Sequence, residues 1–243
     1  MPPLDNLEHF GFYISPLSLG AKPSVTPIAL LFDLDGTLLN TLEDLADSAN
    51  LVLEAMGCPT HPVDPYRFFV GDGVEMLGRR ALPQGRRSEG DVARFVELMR
   101  DIYAERQTCK TRPYDGVEQM LRGLGDRGCI LTVLSNKPDG AVKSLVAALL
   151  GAHNFAVVRG ALPGFPKKPD PAGAIAVVDE LGLAPEQFIY LGDTATDMQT
   201  ATAAGMYPVG AAWGFRGEKE LRESGASVVV HDPREVLALV GQR

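Results

Sequence analysis

Asp33 and Asp35 stand two residues apart in Asp33-Leu34-Asp35-Gly36-Thr37, directly after the apolar run Ile28 to Phe32. On an extended chain end, residues i and i+2 point the same way, so the two carboxylates face one spot. Such a pair repels unless a hard cation relieves it, and carboxylate oxygens are the ligands magnesium prefers. Gly36 lets the chain turn away at once. Three more segments carry related chemistry. Ser135-Asn136 offers a hydroxyl and backbone N–H groups suited to a phosphoryl oxygen. In Lys167-Lys168-Pro169-Asp170-Pro171, prolines hold an ammonium near one place, where it balances carboxylates and pairs with a phosphate oxygen. Gly192-Asp193-Thr194-Ala195-Thr196-Asp197 adds two carboxylates about one helical turn apart.

Taken singly, each segment has an ordinary explanation: an Asp-Gly turn, a helix N-cap, a solvated lysine, an acid at a helix start. Their placement argues otherwise, because each falls at or after the end of an expected strand. Continuous apolar runs read as buried parallel strands at Ile28 to Phe32, Cys129 to Leu134, Phe155 to Val158, Gln187 to Leu191, Tyr207 to Ala211 and Ser227 to Val230. Helices are expected over Asp139 to Leu150, stopping at Gly151, over Pro171 to Leu181, stopping at Gly182, and over Thr196 to Ala204, stopping at Gly205. The alternation predicts an α/β fold, a doubly wound, Rossmann-like parallel sheet. Right-handed crossovers bring all four segments to one edge of that sheet, where ligands bind in such folds. Four carboxylates, a lysine and a hydroxyl then meet at one point, and the charge there demands a cation.

Between Thr41 and Thr111 the alternation breaks. Leu42, Leu45, Ala49, Leu53 and Met56 are spaced for one helix face, and Val92, Phe95, Met99 with Ile102 or Tyr103 for another. A helical insertion follows the first strand, giving an irregular extension over residues 1–26, a core of 27–41 with 112–243, and a cap over 42–111. The net charge of −8 argues against nucleic acid and anionic membranes as partners. No apolar run approaches the ~20 residues that span a bilayer. Phe10 to Ala21 is mildly apolar but follows Asp5 and Glu8, so no signal peptide is expected. Cys58, Cys109 and Cys129 form no CxxC pair and the four histidines no ligand spacing, which points to a reduced, cytoplasmic setting without zinc. Gly123 to Gly128 fits GxGxxG but precedes a strand, so it reads as a helix stop and turn; Gly73 to Gly78 has P-loop spacing but lacks the Lys-Ser/Thr pair.

Asp33-x-Asp35-Gly-Thr, Ser135, Lys168-Pro and Gly192-Asp193-x3-Asp197 together resemble the four ordered motifs of the haloacid dehalogenase superfamily, from Ile28 to the C-terminus. The resemblance implies that Asp33 attacks phosphorus and becomes an aspartyl phosphate. It implies that Asp35 is general acid and then base and gives its backbone carbonyl to Mg²⁺. It places Ser135, with its neighbour Asn136, and Lys168 on the phosphate, with Lys167 an adjacent alternative. It makes Asp193 a metal ligand and Asp197 a ligand or a group behind one, so the metal set is Asp33, Asp35, Asp193 and Asp197. The insertion resembles the small helical cap placed between the first two motifs. Val70-Gly71-Asp72-Gly73-Val74, followed by Arg79-Arg80-Ala81-Leu82, is similar to the cap of phosphoglycolate phosphatases. Gly71, Asp72 and Gly73 either touch substrate or join two helices. The implied activity is Mg²⁺-dependent hydrolysis of a small phosphorylated metabolite, 2-phosphoglycolate first, by a monomer or homodimer. A phosphosugar mutase and a non-catalytic phosphate-ligand binder are the alternatives. Haloacid dehalogenation itself would need neither Asp35 nor a metal.

Overall fold

The computed structural model describes residue 23 and residues 25–241. Apart from residues 23, 25 and 26, the expected extension over 1–26 lies outside the described residues. The described chain begins with strand β1 (Ala29–Phe32), then a two-residue strand β2 (Leu39–Asn40). Helices α1 (Leu42–Ala55), α2 (Tyr66–Phe69), α3 (Val74–Ala81) and α4 (Glu89–Arg106) follow. Then come β3 (Arg112–Pro113), α5 (Val117–Asp126), β4 (Ile130–Pro138) and α6 (Asp139–Leu149). Strand β5 (Phe155–Ala161), α7 (Ala172–Leu181), β6 (Phe188–Gly192) and α8 (Ala195–Ala203) continue the alternation. The described chain closes with β7 (Tyr207–Ala211), α9 (Glu218–Glu223), β8 (Val228–Val230) and a 3₁₀ turn over Pro233–Leu239.

Six parallel strands form the main sheet in the order β5-β4-β1-β6-β7-β8. Parity along β1 splits the core: Leu30 and Phe32 pack with α5 and α6 on one face, and Ala29 and Leu31 pack with α7 and α8 on the other. All four β1 residues are buried, as a central strand covered on both faces requires. Register then sets the chemistry. Phe32 lies opposite Val133 of β4 and Leu191 of β6, so Asp33, Ser135 and Asp193 leave the sheet side by side.

The helical insertion has a core of its own around Leu53, Tyr66, Leu77, Phe95 and Met99. Ser88 starts α4 by accepting a hydrogen bond from Asp91 N at 3.1 Å. At the fourth turn of its inward face Tyr103 is buried and Ile102 half-buried. Both ends of the insertion pass through an antiparallel ribbon in which Leu39 pairs with Pro113 and Asn40 with Arg112. Buried Asp44, in the first turn of α1, accepts hydrogen bonds from Lys110 N, Thr111 N and the Thr111 hydroxyl at 2.8–3.1 Å. That carboxylate fastens the outgoing chain to the returning one. The Gly123 to Gly128 segment differs from the expected stop and turn: Gly123 and Gly125 are inside α5, and the turn comes at Gly128, with φ +70°. A side chain at Gly123 would press on Leu237 at 2.9 Å, so packing of α5 on the final 3₁₀ turn keeps that position small. Among the described residues no helix is long and apolar enough to cross a membrane.

Candidate active site

Beyond the carboxyl ends of β1 and β6, Asp33, Asp193 and Asp197 each offer an oxygen within 4.8 Å of the others. All three are buried. Asp33 is anchored through its backbone, whose N–H donates to Leu191 O at 2.9 Å. Asp193 accepts from the Thr37 hydroxyl at 3.0 Å and from Phe215 N at 2.7 Å. Thr37 reaches it because the chain reverses at Gly36, with φ +88°. A Cβ at Gly36 would lie 2.3 Å from an Asp193 oxygen, so both conformation and space require glycine there.

Asp197 is different in kind. One oxygen accepts from Lys168 Nζ at 2.7 Å and the Tyr190 hydroxyl at 3.3 Å; the other accepts from Thr194 N at 3.1 Å and the Thr194 hydroxyl at 2.7 Å. Its lone pairs are engaged by protein donors, so it orients Lys168 and closes the start of α8. Lys168 Nζ also stands 2.9 Å from Asp33 and 3.2 Å from Leu134 O. Burial pulls against this ammonium, but the carboxylates of Asp197 and Asp33 outweigh it and hold the group well above the ordinary lysine range. One ammonium does not balance three carboxylates. Burial, reinforced by Asp197 and Asp35 and opposed by Lys168, pushes Asp33 up to about 7. Burial and the neighbouring Asp197 and Asp33 push Asp193 well up too. The cluster therefore holds either protons or a further cation. Its all-oxygen donors, with Asp33 and Asp193 the least encumbered, fit a hard divalent ion.

Asp35 stands outside that trio. Its carboxylate lies 3.2 Å from Lys137 Nζ, so the structure brings three of the four expected side chains together and turns the fourth to a different cation. Lys137 in turn donates to the Tyr103 hydroxyl of α4 at 2.8 Å and lies 4.2 Å over that ring. Ser135, buried, accepts from Lys137 N at 3.2 Å. Asn136 is a strut: its amide donates to Gly71 O at 3.1 Å and Lys168 O at 3.0 Å and accepts from Lys168 N at 2.9 Å. That side chain is thereby occupied with backbone on both sides. Lys167 turns away from the carboxylates to Glu75 of α3 at 2.7 Å. Asp72 pairs with Arg80 at 2.5 Å and accepts from the Thr196 hydroxyl at 3.0 Å, which ties the insertion to α8. Gly71 and Gly73 take φ +115° and +90° between α2 and α3. A Cβ at Gly73 would come 3.1 Å from Lys167 Nζ.

Several of these groups line a cavity of about 760 Å³, among them Asp33, Asp35, Ser135, Lys137, Gly71 and Gly73. The sequence reading passed over Lys137 and Tyr103. A signal existed for Lys137: β4 runs on to Pro138, so residue 137 shares the face of Ser135 by the period of two. Tyr103, Thr37 and Phe215 N reach the site only through tertiary folding.

A family model of haloacid dehalogenase-like hydrolases matches residues 30–211. The chain belongs to the haloacid dehalogenase-like hydrolases. Among these hydrolases its similarity runs to phosphatases. A phosphoglycolate phosphatase of Pseudomonas putida is 33% identical over 219 residues, covering 88% of this chain and 80% of that one. Another, of Haemophilus influenzae, is 32% identical over 217 residues, covering 86% and 96%. A crystal structure described as a predicted phosphoglycolate phosphatase from Haemophilus somnus superposes with a TM-score of 0.81 at 29% identity, covering 89% and 99%.

Proposed function

We propose that this hydrolase is a Mg²⁺-dependent phosphatase that cleaves small phosphate monoesters, 2-phosphoglycolate first, through a phosphorylated Asp33. The observation that carries the reading is the buried Asp33, Asp193 and Asp197 trio, of which Asp33 lines the cavity, with Lys168 the ammonium set against it. The names of the relatives at about 32% identity support the substrate.

Asp33 and Asp193, with the main-chain carbonyl of Asp35, would hold the magnesium ion, and Asp197 stands behind through Lys168. When bound, the ion supplies positive charge that offsets the carboxylates and the phosphate. The chain's own residues do the rest. An Asp33 oxygen bonds to phosphorus as the ester P–O bond breaks, and Asp35 gives its proton to the departing alcohol. Water then loses a proton to Asp35 and bonds to phosphorus, the bond to Asp33 breaks, and inorganic phosphate leaves. Lys168 and the Ser135 hydroxyl face the phosphoryl oxygens, so charge developing there meets donors already in place. Residues 42–111 act as the cap that excludes water from these steps.

Phosphate release from 2-phosphoglycolate, hexose phosphates and nucleotides, measured with magnesium and with chelator, tests the reading. Release confined to the magnesium arm, with 2-phosphoglycolate the best substrate, is the expected result. Hexose-phosphate isomerisation without net release, or no release from any ester, overturns it.

A further inference from the structure

The cavity above Asp33 is out of proportion to a two-carbon acid. Its volume of about 760 Å³ is that of a pocket for a drug-sized molecule, and at ~30 Å³ per water it corresponds to roughly 25 waters. The phosphate end accounts for the floor. Away from the floor, the charged groups on the wall are already matched with protein partners. Lys137 is held by Asp35 and Tyr103 and Lys167 by Glu75, while Arg100 is largely in solvent, 2.9 Å from Asp101. Most of what lies between them is hydrocarbon: half-buried Val74 and Val96, the edges of the core residues Leu77 and Met99, and Leu162 and Phe165 from the loop after β5. Leu162 and Phe165 are 42% and 36% exposed, so the apolar wall continues from the floor to the solvent-facing rim. Apolar surface left facing water at a cavity wall is stabilised by an apolar occupant.

We infer that the alcohol side of this site is a subsite for an apolar body, and that phosphate monoesters of aliphatic or aromatic alcohols of about six carbons or more are substrates beyond 2-phosphoglycolate. The inference rests on the phosphatase reading for turnover but not for binding. The reaction is the same hydrolysis: the P–O bond to the alcohol breaks, water supplies the oxygen that phosphate gains, and the alcohol leaves carrying a proton. A two-carbon acid fills the floor alone, whereas a longer alcohol also covers Val74 and Val96 and reaches Leu162 and Phe165 at the rim.

The test separates binding from turnover. Methyl-, propyl- and hexylphosphonate are titrated calorimetrically into the full-length magnesium-loaded protein, and hydrolysis of methyl phosphate, hexyl phosphate and 2-phosphoglycolate is followed in parallel. A buried methylene is worth up to about fourfold in affinity, so five added methylenes raise it between about thirtyfold and a thousandfold. The same gain appears in kcat/KM for hexyl over methyl phosphate. In the double variant Leu162→Ser with Phe165→Ser, at two exposed positions outside the core clusters, the rise along the series flattens. Affinity that stays level or falls with chain length, an unchanged slope in the double variant, or no binding of any phosphonate overturns the inference. Tight hexylphosphonate binding without hydrolysis of any ester upholds the subsite while refuting the proposed phosphatase activity.

Discussion

Asp33→Asn is expected to make the metal-free protein more stable while removing its activity. Asparagine keeps the shape of the side chain and an acceptor for Leu34 N at 2.7 Å and Lys168 at 2.9 Å, but not the charge. Burial raises the Asp33 carboxyl from its ordinary 3.8 to about 7. The folded state therefore binds a proton more tightly than the unfolded state. Between those two values the native protein holds more protons, and its stability falls as pH rises through that window. At about 1.4 kcal/mol for each tenfold in proton affinity, the raised carboxyl costs on the order of 4 kcal/mol above pH 7 and less than half of that at pH 5, where it is mostly protonated in the fold. In chelator at pH 8 the variant should gain up to about that larger amount, on the order of 10 °C in Tm for a chain of this size, and distinctly less at pH 5. Magnesium should close most of that gap, because only the wild type gains the full binding stabilisation, about 2.7 kcal/mol at a hundred times Kd. Urea unfolding at both pH values, with and without magnesium, gives all four numbers. A variant no more stable than wild type at pH 8 in chelator refutes the argument that the trio carries excess buried charge. Turnover by the variant should drop at least about a thousandfold.

Lys168→Met leaves buried carboxylates without the ammonium at 2.7 and 2.9 Å; unfolding experiments should show a loss of about 3–5 kcal/mol, partly restored by magnesium. Asp44→Ala strands the Lys110 and Thr111 donors. It should cost about 2–4 kcal/mol and speed amide hydrogen exchange around residues 110–113 before it affects the six-stranded sheet. Tyr103→Phe removes the hydroxyl that Lys137 donates to but keeps the ring beneath it. Steady-state kinetics should show kcat/KM lowered by about three- to tenfold, with thermal stability little changed.

The strand segments, the parallel sheet and the meeting of Asp33, Asp193, Asp197 and Lys168 were legible because Asp33 and Asp193 each follow an apolar run buried in the sheet. The helix faces of α1 and α4 were legible from period alone. What escaped has physical reasons. A ribbon of two residues per strand is too short to show any period, so Leu39–Asn40 and Arg112–Pro113 carry no signature. Gly123 and Gly125 read as punctuation, yet their helix is kept by packing against Leu237. The side-chain partners of Asp35 and Asn136, Lys137 and the backbone of Gly71 and Lys168, come from other elements and leave no local mark in the sequence. Only the fold reveals them.

The ribbon of β2 and β3 has a consequence for how such a protein diversifies. The chain departs from and rejoins the sheet at a single doorway, latched by Asp44. Most of the apolar side chains beyond that doorway pack around an interior of their own, with Phe215 the buried residue that joins them from the core. Substitutions that reshape the helices can accumulate without disturbing the register that aligns the acids at the strand ends. Part of the cavity wall, Val74 and Val96 among it, thus stands on a different piece of the chain from the acids at the strand ends, and the former can drift while the latter stand still.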